Sequence, residues 1–135
     1  MPASGATIEE LEMIKTYIIV PMILTAFDRD LKVVEQTMKS PGPYIDVINN
    51  AMDRASLLLY EIRREFRKRG IKVFDVQQDK DGVRAEYRCR GYVGTIRMLW
   101  SLISSEANVR MRAYLGLDVS NLKSTCSPDR MQPNQ

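Results

Sequence analysis

Ile71-Lys-Val-Phe-Asp-Val76 and Val83-Arg-Ala-Glu-Tyr-Arg-Cys-Arg90, standing on either side of Asp79-Lys-Asp-Gly82, decide the fold class of this chain. In the second run Val83, Ala85, Tyr87 and Cys89 alternate with Arg84, Glu86, Arg88 and Arg90, the pattern of a strand with one covered and one wet face. The residues between the runs, with Gly82 read at a positive-φ position, predict a β-hairpin. Closed symmetrically about Lys80 and Asp81, that hairpin sets Phe74 opposite Tyr87 and Val76 opposite Ala85, and leaves Asp75 among the arginines.

Helical patterns stand on both sides of the hairpin. Upstream, Ser40-Pro-Gly-Pro43 is a break followed by a start near Pro43, where a proline is preset for the first helical turn. Ile45, Ile48, Met52, Ala55, Leu59, Ile62 and Phe66 then step by three or four, and Gly70 supplies the stop. Further upstream, Thr7 followed three residues later by Glu10 is a capping box, in which each side chain satisfies the other's free backbone N–H. Ile8, Leu11, Ile14 and Ile18 continue one helical face, and from Tyr17 to Leu24 the segment is apolar on every side. Pro21 lies inside this stretch and is expected to kink or split the helix. The pattern resumes through Phe27, Leu31, Val34 and Met38. Downstream, Gly91-Tyr-Val-Gly94 reads as the turn into a third helix carrying Ile96, Leu99, Trp100, Ile103, Ala107, Met111, Tyr114 and Leu115, with Gly116 ending it.

The resulting expectation is an α+β, mainly helical protein: three long helices with a β-hairpin between helices two and three. Residues 1–116 form a single globular domain, followed by a flexible C-terminal tail over 117–135 that is polar and poor in apolar residues. A two-stranded hairpin is marginal alone, so it needs a helical roof or the same hairpin of a second subunit. With the all-round apolar Tyr17–Leu24 stretch, this argues for a homodimer formed through the helices.

Composition narrows function by exclusion. The 135 residues include no His, which removes Ser-His and Cys-His dyads and two-His helical zinc sites. Of the two cysteines, Cys126 lies in the polar tail and Cys89 on the covered strand face, so neither a bridge nor a nucleophile is expected. Asp28 and Asp30 diverge on a helix. Asp79-Lys-Asp-Gly82 lacks the later ligands of a calcium loop, with Arg90 where a Glu would stand. The reading is therefore a non-enzymatic protein with no metal and no cofactor. The amino end has no basic run before an apolar core, and the longest charge-free apolar stretch is the twelve residues Thr16–Phe27, against about 20 needed to span a bilayer. A cytoplasmic location without membrane partners is expected.

Charge supplies the positive signal. Net charge is only +3, from 20 Lys and Arg against 17 Asp and Glu, but residues 1–60 hold five basic and eight acidic groups whereas residues 61–97 hold eleven and six. Arg63, Arg64, Arg67, Lys68, Arg69 and Lys72 crowd around Glu65 at the end of helix two. Part of this is ordinary helix chemistry, since cations suit a helix C-terminus and Glu65 can pair with Lys68 or Arg69. The remainder suits phosphates. Arg63, Arg64, Arg67, Lys68, Lys72, Arg84, Arg88 and Arg90 are the candidate nucleic-acid or anion-binding residues. Arg88 and Arg90, with Gly91, Gly94 and Thr95, also stand where a helix N-terminus would favour an anion. A small regulatory protein that presents a basic surface to nucleic acid follows; the alternative is a protein-binding adaptor or inhibitor docking on an acidic or hydrophobic partner.

Overall fold

The computed structural model describes residues 5–118. Its order is α1 (Ile8–Thr37), α2 (Pro41–Arg69), β1 (Ile71–Gln78), β2 (Gly82–Cys89), β3 (Tyr92–Leu99) and α3 (Trp100–Tyr114). The architecture is α+β and mainly helical, with the sheet between helices two and three as expected, but that sheet has three antiparallel strands in the order β1-β2-β3. Tail residues 119–135, Cys126 among them, lie outside the described residues.

The helix signals translate directly. Thr7 and Glu10 form both halves of the capping box at 3.1 Å each. Gly70 closes α2 at φ 69°, the left-handed region that glycine enters without strain. Pro21 does not split α1, which runs unbroken for 30 residues. Its exposed ring costs one ladder bond, while Ile18, Ile19, Val20 and Ile23 around it are buried and hold the helix in place. Helix α2 begins at Pro41, before Pro43, because both prolines fall in the first turn, where backbone N–H groups have no helical acceptor.

Helices α1 and α2 form an antiparallel hairpin. Phe66, Ile62, Leu59, Ala55 and Ala51 of α2 join Ile14 to Phe27 of α1 in one core, and the inner sheet face adds Ile71, Val83, Ala85, Tyr87, Cys89 and Met98. Beyond Phe27 on α1 and before Ala51 on α2 no residue is buried, so the hairpin extends past the core as an arm. Helix α3 is tied to α1 by Lys15, which reaches Glu12 at 3.1 Å and Glu106 at 3.5 Å, and by Arg110 donating to the Thr16 hydroxyl at 2.8 Å. It is tied to α2 by Arg54 donating to the Tyr114 carbonyl. Within one chain Ile18, Ile19, Val20 and Ile23 of the Tyr17–Leu24 stretch are buried, while Tyr17, Met22 and Leu24 are half-buried and Pro21 is exposed.

Three expectations about the sheet are corrected. First, the register pairs Val73 with Tyr87 and Phe74 with Glu86, then slips by one residue so that Gln77 meets Arg84. The slip is a bulge with Asp75 at φ 53°, which places Phe74 on the open face. Second, Gly82 has no positive φ. It is glycine because a Cβ there would stand 2.0 Å from the Met98 carbonyl oxygen; the turn is made by Asp79, whose carboxylate accepts from the N–H groups of Asp81 and Gly82 at 2.8 and 3.1 Å. Third, residues 92–99 are a strand, and the third helix starts only at Trp100. Arg90 and Gly91, at φ 51° and 89°, make the tight two-residue turn that folds β3 back on β2. The start of the third helix therefore does not stand beside Arg88 and Arg90. Gly94 lies in mid-strand under the Tyr87 ring, where a Cβ would fall 2.5 Å from the ring.

Candidate functional site

The candidate site is the sheet face turned away from the helices. Directly paired residues share a face, so Lys72, Arg88 and Val93 form one row, Phe74, Glu86 and Thr95 the next, and Gln77, Arg84 and Arg97 a third. Four cations and one acid stand on this face. Arg88 lies over the Phe74 ring at 5.7 Å, and Arg84 reaches Glu86 at 3.4 Å. Lys72 sits directly opposite Arg88, and Arg84 directly opposite Arg97. Like charges in opposed positions destabilise a sheet, so each pair is a cost that a bound anion would relieve. Arg84 and Arg97 also line a shallow depression beside the Asp79–Gly82 turn.

The predicted site residues separate into three groups. Lys72, Arg84 and Arg88 meet on the open face. Arg63, Arg64, Arg67 and Lys68 are exposed on α2, in the helical layer that covers the other side of the sheet. Arg63 lies 6.0 Å from the Tyr17 ring and Arg64 6.0 Å from the Tyr60 ring, while Lys68 pairs with Glu65 at 3.6 Å. Arg90 belongs to neither surface. It follows the end of β2, and its left-handed backbone turns the side chain back to Glu10, which it binds through both terminal nitrogens at 3.0 and 2.9 Å.

Glu10 is the centre of a structural cluster. It accepts from the Thr7 N–H, from Arg90 and from Arg69 at 3.4 Å, and the Cys89 thiol lies at 3.5 Å. Arg90 also donates to the Arg69 carbonyl, and its own N–H bonds the Gly70 carbonyl. The start of α1, the end of α2 and the end of β2 are thereby fastened together. Arg90 above all holds the Glu10 carboxyl down, from 4.5 to about 2, despite its burial. Burial pushes the Cys89 thiol up, with the Glu10 carboxylate adding to it.

Arg97 was missed by sequence reading because Ile96 and Leu99 also fit a helical stripe. The available signal was the two-residue Arg90-Gly91 turn before a run containing Val93, Thr95 and Ile96, all β-branched.

Residues 5–119 match a family model described as YhjD protein. The chain belongs to the YhjD family. A relative from Bacillus subtilis (strain 168), the uncharacterized protein YhjD, is 29% identical over 108 residues, which cover 79% of this chain and 90% of the relative. No solved structure matches. In this YhjD-family chain the matched span takes in all three helices and the whole sheet, so the candidate face lies inside it.

Proposed function

We propose that this protein is a small, non-enzymatic cytoplasmic regulator that binds nucleic acid through the open face of its sheet. The observation carrying this reading is the register that sets Lys72 opposite Arg88 and Arg84 opposite Arg97 on one exposed face. Cations so placed neutralise neighbouring phosphates and release counterions, and the Phe74 ring beside Arg88 offers a surface on which a base can stack. The Glu10 carboxyl, which the fold lowers strongly, is engaged in ion pairs, and the Cys89 thiol lies in the core, which favours binding over catalysis. No described helix is long and apolar enough to cross a membrane.

Fluorescence anisotropy with labelled single-stranded and duplex oligonucleotides, titrated across salt concentrations, tests the reading. Arg84→Ala/Arg88→Ala/Arg97→Ala is expected to weaken binding and to lower the slope of log affinity against log salt by about two to three. Arg63→Ala/Arg64→Ala/Arg67→Ala, on the helical layer, is expected to have the smaller effect. Equal binding by the parent and the strand variant at low salt would refute the assignment.

A further inference from the structure

The geometry points to a second copy of this chain docking on the free edge of β3 to form a continuous six-stranded sheet. Edge strands present unpaired backbone groups, and folded proteins usually blunt them. The β1 edge is blunted by its bulge at Asp75. Strand β3 pairs one-to-one with β2 over all eight residues and has neither bulge nor proline, and no strand lies on its other side among the described residues. Val93 and Leu99, near its two ends, are 51% and 61% exposed.

The pattern of this edge selects the occupant and its register. The two-residue turn makes Cys89 and Tyr92 a hydrogen-bonded pair, so the N–H and C=O groups of Val93, Thr95, Arg97 and Leu99 point away from β2. An antiparallel copy of β3 must match these groups and keep its side chains on the matching faces. The register with Ile96 on the two-fold axis satisfies both conditions: Val93 faces the second copy's Leu99, and Thr95 faces its Arg97. Moving the axis to Arg97 would set two guanidinium groups against each other. With the axis at Ile96, the row Gln77, Arg84, Arg97 continues into Thr95 and Glu86 of the second copy. Each opposed arginine pair then gains a carboxylate in its own row, about 10 Å from Arg97 across the short threonine. The two copies complement each other in charge as well as in backbone.

Light scattering coupled to size-exclusion chromatography of the full chain is expected to give twice the 15.5 kDa chain mass. Thr95→Lys, which sets a second cation opposite Arg97, is expected to give the monomer mass with an unchanged circular dichroism spectrum. Cross-linking reads the register independently. In a Cys126→Ser background, Ile96→Cys is expected to form an intermolecular disulfide under mild oxidation, because a non-hydrogen-bonded pair stands about 4.5 Å apart at Cα. Thr95→Cys, about 7–8 Å from its counterpart, is expected to remain uncross-linked. A monomeric parent, a dimer that survives Thr95→Lys, or preferential cross-linking through Thr95→Cys would overturn the proposal. If Thr95→Lys does not fold, the two cysteine variants decide.

Discussion

Replacing Glu10 by Gln keeps the side chain's volume and the acceptor for the Thr7 N–H while removing the charge that Arg90 and Arg69 surround. The folded-state carboxyl titrates at about 2 against an ordinary 4.5, a difference worth about 3 kcal/mol at neutral pH. Glu10 itself is 3% exposed, but the Arg90 side chain is 43% exposed and partly screened. The expected loss is therefore about 2 kcal/mol, or about 8 °C in Tm for a chain of this length. The sign of the pH dependence follows from the lowered value. The carboxylate's contribution is fully present above the unfolded value of 4.5 and is lost as pH falls through about 2. Urea unfolding of parent and Glu10→Gln, followed by circular dichroism across this range, should give curves that are separated at pH 7 and converge in acid. A gap below about 0.5 kcal/mol at pH 7, or one that stays constant into acid, would refute the view that a charged Glu10 fastens the three elements.

Two further outcomes are expected. Gly94→Ala puts a methyl group against the buried Tyr87 ring and should cost about 1–3 kcal/mol in chemical denaturation. The loss should be less than additive with Tyr87→Leu, which vacates the ring position. Cys89, with its thiol buried and pushed up, should react with a chromogenic disulfide reagent in a Cys126→Ser background only as fast as the fold opens, and at once in denaturant.

How much was legible depended on how local each signal was. Thr7 with Glu10, the α2 stripe and Gly70 are written within a few residues of each other, and the structure contains them all. Strand β3 was hidden by coincidence, since Ile96 and Leu99 satisfy a helical spacing while Ile96 and Met98 satisfy a strand. The bulge at Asp75 was equally hidden, because its backbone turns on how the hairpin closes rather than on its neighbours' polarity. Arg84 and Arg88 were found because alternation reports a face, and Lys72 because it closes the basic run that starts at Arg63. Arg97 was lost with its strand. Arg90 was placed on the wrong face because period two stops at Cys89, where the chain enters a turn. The sequence arguments for a dimer were a marginal two-stranded hairpin and an all-round apolar stretch in α1. The structure adds a third strand to the hairpin and buries Ile18, Ile19, Val20 and Ile23 within one chain, and the β3 edge, unpaired among the described residues, arises only once that third strand exists.

The arm of the helical hairpin has a consequence for how the molecule opens. Residues 28–50 bury no side chain completely, and the apolar Leu31, Val34, Ile45 and Ile48 are only half-buried there. Backbone amides along α1 and α2 therefore belong to different cooperative units although each helix is continuous. Those near the Met38–Ser40 connection are released by local separation of the two helices. Those between Ile14 and Phe27, or Ala51 and Phe66, require loss of the shared core. Hydrogen exchange along a single helix would then be graded, fast at the tip and slow at the base.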